Sequence, residues 1–127
     1  EHNWSAVEAI FNSVATQDTV SVGSLRTGRH FIHVSDIASA LVKAVGLDGC
    51  EILNIQGNKL ITLGEIVEVS KNLLGKAPRI IETSPERISL KTISNKKAKD
   101  LITWESEIGL KEGLRTVSEF LNFKSIL

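Results

Sequence analysis

Segments of helical and of strand periodicity alternate along this chain, and that alternation limits its fold more than any other feature. Ser5 and Glu8 form a reciprocal cap pattern ahead of Val7, Ile10, Phe11 and Val14, which recur at helical spacing and predict a helix over residues 6–16. Thr19-Val20-Ser21-Val22 alternates polar and apolar and stops at Gly23, the pattern of a half-buried strand. A second strand is expected from His30 to Val34. Ser35 as N-cap and Asp36 at the first helical position then open a helix whose apolar stripe is Ile37, Leu41, Ala44 and Val45, closed by Gly46 and Gly49.

Glu51-Ile52-Leu53-Asn54-Ile55 reads as a third strand. Thr62 and Glu65 repeat the cap pattern before Ile66, Val67, Leu73 and Leu74, with Gly75 suited to a left-handed C-terminal position and Pro78 barring continuation. Arg79 to Glu82 reads as a short strand. Further helices are expected near Asn95 to Ile102 and along Leu110, Leu114, Val117 and Leu121. The order is α-β-β-α-β-α-β-α-α, an α/β chain with a small sheet covered by helices. No repeat or low-complexity linker interrupts residues 1–127, which are expected to form a single domain.

Fifteen basic residues balance fifteen acidic ones, so a general affinity for nucleic acid or an anionic membrane is not expected. Cys50 is the only cysteine, and with no apolar run near the ~20 residues of a membrane helix and no signal-peptide pattern, a cytoplasmic location is expected. The chain has no tyrosine. It also lacks a Gly-x-Gly-x-x-Gly or Gly-x-x-x-x-Gly-Lys-Ser/Thr loop, whose backbone N–H groups cradle phosphates. His30 and His2 have no companions at metal-ligand spacing, so no metal is expected.

Val20-Ser21-Val22-Gly23 followed by Arg29-His30-Phe31-Ile32-His33-Val34-Ser35-Asp36-Ile37-Ala38 closely resembles a segment of the extended short-chain dehydrogenase/reductases, the group that holds the NAD-dependent nucleotide-sugar epimerases and dehydratases. The resemblance continues through Asn54-Ile55-Gln56-Gly57 and Thr62-Leu63-Gly64-Glu65-Ile66. It resumes at Lys97-Ala98, Leu101-Ile102-Thr103-Trp104 and Leu110-Lys111-Glu112-Gly113-Leu114, in the family's order and near its spacing. It implies the C-terminal, substrate-binding part of such an enzyme, without the Rossmann half that carries the NAD loop and the tyrosine-lysine pair. Such a chain holds a nucleotide sugar, is inactive alone and binds no cofactor itself, NAD or NADP belonging to the parent enzyme. The alternative is a non-catalytic protein-interaction module derived from such an enzyme.

By the same resemblance Arg29 reaches the substrate's pyrophosphate, a role suited to a permanently charged, forked donor. Val20, Ser21 and Val22 lie beside the nucleotide base, valine at 22 replacing a frequent aromatic. Leu63 stands where the family has an apolar contact to the nucleotide, although its place in its own helix's buried stripe favours core packing. A second family arginine sits in an Arg-x-Gly-Asp pattern, where this chain has Ser84-Pro85-Glu86-Arg87, so Arg87 is displaced by three residues. No catalytic residue is expected. His33 and Asp36 read as packing and capping residues, Trp104 as a core residue, and Lys96, Lys97 and Lys99 as a solvated helix face. The expected partners are the sugar nucleotide, the missing N-terminal Rossmann domain and, because a chain without that domain exposes apolar surface, other copies of itself.

Overall fold

The computed structural model describes residues 4–124 and 126. In chain order its elements are α1 (Ala6–Thr16), β1 (Thr19–Val22), β2 (Gly28–Arg29), α2 (Val34–Ala44), β3 (Ile61–Thr62), α3 (Leu63–Leu74), β4 (Arg79–Glu82), α4 (Lys96–Ile102) and α5 (Leu110–Phe120). The mixed α/β class and the order of helices and strands are as expected. Two of the strands nevertheless fall on other residues. His30 to Val34 is not a strand: β2 stops at Arg29, and Val34 already begins α2. Residues 51–55 form no strand either, and β3 is instead the pair Ile61–Thr62. Strand periodicity describes how side chains alternate, but a strand also needs a ladder partner, and neither segment has one among the described residues.

The chain divides into two compact units. The first comprises Glu1–Gly28, Ile61–Leu90 and Gly109–Leu127. Its framework is a parallel pair in which Thr19 faces Arg79, Val20 faces Ile80, Ser21 faces Ile81 and Val22 faces Glu82. Val20 and Val22 point into the core while Thr19 and Ser21 face out, as the alternation predicts. Helix α1 packs on β1 and α3, and α5 packs on α3. Phe11, Val14, Ile66, Val67, Leu73 and Leu114 are the buried centre, each large side chain worth roughly 1.5–3 kcal/mol on leaving water. Both predicted capping boxes form: Ser5 with Glu8 on α1, and Thr62 with Glu65 on α3. Helix α3 ends as expected at Gly75, whose φ of 61° lies in the left-handed region that glycine enters without a side-chain clash. After α5 the Phe123 N–H donates to the Ser118 carbonyl, and the Phe123 ring stands 6.2 Å from Phe11.

The second unit comprises Arg29–Leu60 and Lys91–Ile108. Its buried apolar centre is small, made of Ala40 of α2, Ala98 and Ile102 of α4, and Trp104, with Ile32, Leu47, Leu53 and Ile55 partly buried around it. Trp104 is the core residue that the sequence suggested. The cap of α2 differs from expectation. His33, not Ser35, is the N-cap, and its Nδ1 accepts the Ser35 N–H at 3.2 Å, which places Asp36 at the third helical position. The stripe Ile37, Leu41 and Val45 is exposed, and Ala40 provides the fully buried contact instead. Helix α4 closes at Thr103, a β-branched residue at φ 50° whose carbonyl accepts the Lys43 ammonium at 2.6 Å.

Candidate functional site

In the first unit the residues singled out by sequence gather around the turn between β1 and β2. Ser24 is buried, and its hydroxyl donates to the Pro85 carbonyl at 3.3 Å while its carbonyl accepts the Thr27 N–H at 3.1 Å. The Leu25 N–H donates to the Glu82 carboxylate at 2.8 Å. On the other side, the Gly64 N–H donates to the Leu25 carbonyl and the Leu63 N–H to the Thr27 carbonyl, both at 2.9 Å. The Thr27 hydroxyl donates to the Arg87 carbonyl at 3.4 Å and accepts from the Ser89 N–H at 3.2 Å. Residues 24–28 are therefore tied both to the chain beyond β4 and to the start of α3.

This stitching brings Arg26, Leu63 and Arg87 to one turn. Arg26 and Arg87 are exposed, and the Arg26 guanidinium reaches the Pro85 carbonyl at 3.5 Å. Leu63 is half-buried rather than enclosed in the core. Of the three β1 candidates, Ser21 presents its side chain outward, while Val20 and Val22 have theirs in the core. What Val20 and Val22 can offer a ligand is backbone.

The second unit begins at Arg29, half-buried at the end of β2. Beyond it the chain is held to the 55–57 segment by close backbone approach: a Cβ at Gly57 would stand 1.9 Å from the Phe31 carbonyl oxygen, so only glycine fits. His30 Nδ1 pairs with the Gly57 carbonyl at 2.8 Å, while its Nε2 is buried with no hydrogen-bond partner. That geometry makes His30 a latch between two backbone segments.

Asp36 ties the first turn of its helix to a distant loop. Its carboxylate is buried, and one oxygen accepts the Glu107 N–H and the other the Ile108 N–H, each at 3.1 Å. The Trp104 indole N–H donates to the Asp36 carbonyl at 3.1 Å and to the Ser39 hydroxyl at 2.8 Å. The amide side chains of this unit form similar clamps. Gln56 donates to the Ile93 carbonyl, Asn95 to the Gln56 carbonyl at 2.7 Å, and Asn58 to the Ser106 carbonyl at 3.0 Å. Sequence reading passed over Gln56, Asn58 and Asn95. For Gln56 and Asn58 the signal was the alternation of amides from Asn54 to Asn58, which need partners where they are covered.

Lys96, Lys97 and Lys99 are paired with Asp100, Glu51 and Glu105 respectively, the last two at 2.6 and 2.9 Å. Among the described residues no three His, Cys, Asp or Glu side chains converge as metal ligands, and no helix is long and apolar enough to cross a membrane. His2 lies outside the described residues.

No protein-family model matches this chain. It is 34% identical over 94 residues to the UDP-glucuronate 4-epimerase of Thermodesulfobacterium geofontis, a match that covers 71% of this chain and 29% of that protein. It is 30% identical over 107 residues to the putative UDP-glucose 4-epimerase of Methanocaldococcus jannaschii, covering 83% and 34%. Its fold matches MoeE5 in complex with UDP-glucuronic acid and NAD with a TM-score of 0.82 at 23% identity, over 96% of this chain and 42% of that one. The UDP-glucose 4-epimerase of Thermotoga maritima, with UDP-glucose, matches with a TM-score of 0.81 at 20% identity, over 95% and 40%.

The chain's relatives are UDP-sugar epimerases and decarboxylases, and its structural neighbours are extended short-chain dehydrogenase/reductases.

The relatives agree with the resemblance read from the motifs, and the likeness in fold covers nearly the whole chain. The chain spans about a third or less of the curated relatives named and less than half of the solved chains.

Proposed function

We propose that this chain is the nucleotide-sugar-binding region of an NAD-dependent nucleotide-sugar epimerase or dehydratase, with hydride and proton transfer carried by polypeptide outside it. The observation that carries the reading is the continuity of the fold likeness, which runs along 96% of this chain with a protein solved holding UDP-glucuronic acid and NAD. The absence of tyrosine supports placing the proton-transfer group elsewhere. Arg29 supplies the guanidinium for the diphosphate, and Arg87 a second cation. Ser21, with the backbone of Val20 and Val22, serves the nucleotide, and Leu63 offers it an apolar contact.

The dinucleotide is placed outside this chain because the chain has no Gly-x-Gly-x-x-Gly loop to cradle its pyrophosphate. In the intact enzyme the partner is then a Rossmann domain that brings NAD or NADP; a solved match in Pseudomonas aeruginosa, RMD, holds NADPH.

Calorimetric titration of this chain with UDP-glucuronic acid, UDP-glucose and NAD, each alone, tests the proposal. A UDP-sugar is expected to bind and NAD to give no heat, and no UDP-sugar is turned over. Arg29→Ala is expected to weaken the UDP-sugar about 10–100-fold, the worth of a charge-assisted hydrogen bond to phosphate. Tight NAD binding, or an Arg29→Ala variant that binds as well as the parent, overturns the reading.

A further inference from the structure

Asp48 is the one aspartate or asparagine of this chain that is followed by glycine. The pair lies in the loop between α2 and Glu51, and both residues are exposed. Among the described residues no ion pair or hydrogen bond engages the Asp48 carboxylate, and no backbone carbonyl takes the Gly49 N–H. Gly49 has a φ of 78°, and a Cβ there would meet nothing within 4 Å, so the space around it is open. The other aspartates are held or shielded. Asp36 is buried, its two oxygens hold the Glu107 and Ile108 N–H groups, and the next N–H along, of Ile37, donates to the His33 carbonyl. Asp100 pairs with Lys96 and sits inside α4, where the Leu101 N–H belongs to the helix ladder. Asp18 is followed by Thr19, whose branched Cβ crowds its own nitrogen.

We infer that Asp48-Gly49 is a site of spontaneous isomerisation to isoaspartate, and that the fold leaves it as unprotected as a free peptide. The Gly49 nitrogen gives up its proton and bonds to Asp48 Cγ, while the carboxyl loses one oxygen as water, which closes a succinimide ring. Water then adds at one of the two ring carbonyls. Opening on one side regenerates aspartate; opening on the other leaves the main chain running through Cβ. One water leaves and one returns, so the mass is unchanged and no oxidant, reductant or enzyme takes part. Glycine matters twice, because no Cβ shields the attacking nitrogen and its backbone turns freely towards the ring. The product inserts a methylene into the link between α2 and Glu51, whose carboxylate pairs with Lys97 at 2.6 Å. Gly49 also lines an apolar groove of about 340 Å³ with Leu47 and Leu53, so the altered link lies on that groove. No nucleotide takes part, so failure here leaves the proposed function untouched.

Ageing the chain for several weeks at neutral pH and physiological temperature, beside a synthetic peptide of residues 44–59, provides the test. After trypsin, the fragment of residues 44–59 is expected to separate into two forms of equal mass. Electron-transfer fragmentation should place the altered linkage at Asp48, and the rate in the folded chain should match that in the peptide. Asp36 and Asp100 should stay unchanged. Asp48→Glu keeps the charge at an exposed position but would need a larger ring, so it should give one form only, with circular dichroism showing the fold kept. A folded chain that stays in one form overturns the inference, whether or not the peptide converts. Conversion at Asp36 or Asp100 as fast as at Asp48 overturns it too, as does a second form of equal mass in Asp48→Glu.

Discussion

The two units of this chain are held together by different means. In the first, Phe11, Val14, Ile66, Val67, Leu73 and Leu114 are buried among helices whose ends are closed by reciprocal side-chain caps. In the second, the buried apolar centre is four residues, two of them alanines, and polar side chains do the rest: Asp36, Gln56, Asn58, Asn95 and the Trp104 indole each tie one backbone segment to another. The difference follows from where the apolar residues point. Unit one turns its stripes inward, whereas α2 in unit two turns Val34, Leu41 and Val45 outward and must be fixed by hydrogen bonds that a larger core would make less important. Such bonds are directional and specify loop positions well, but each adds only about 1 kcal/mol, or more where a charge takes part.

Trp104→Ala tests this contrast most severely. Removing the largest side chain of the small core, together with its two indole hydrogen bonds, is expected to cost about 3–5 kcal/mol. Hydrogen exchange should then accelerate through α2 and α4 while the amides of α1 and β1 keep their protection. If α1 and β1 open equally, the two units unfold as one and the contrast is not one of separate stabilities. Asp36→Ala should come next, at about 2–4 kcal/mol in urea denaturation, since two backbone N–H groups lose a buried carboxylate. A loss below about 1 kcal/mol would show that the polar clamps of unit two are dispensable. Thr62→Ala should be the smallest, about 1 kcal/mol, because only one side of the α3 capping box is removed from a unit with an ample core.

Legibility in the sequence followed the same division. Ser5, Glu8, Thr62, Glu65 and Gly75 act through neighbours a few positions away, so α1 and α3 were readable from short windows. Strands β1 and β4 were also placed on their observed residues, although which strand pairs with which is not written in either of them. The misplacements lie at His30 to Val34, at Glu51 to Ile55 and in the cap of α2. Each depends on something distant: a ladder partner for the two extended segments, and for α2 a loop at Glu107 and Ile108 that draws the Asp36 carboxylate away from simple capping. Among the candidate binding residues, the convergence of Leu63 and Arg87 on one turn was invisible locally, because Thr27 joins their segments through its carbonyl and its hydroxyl.

The parallel register of β1 with β4 has a consequence for the chain during its synthesis. Thr19 to Val22 leave the ribosome long before Arg79 to Glu82 exist, and at about 5–20 residues per second the interval lasts several seconds. Throughout that time a valine-bearing edge is open to any extended peptide nearby. Nascent chains stalled between Leu74 and Arg79 are therefore the species in which a holdase should find this strand.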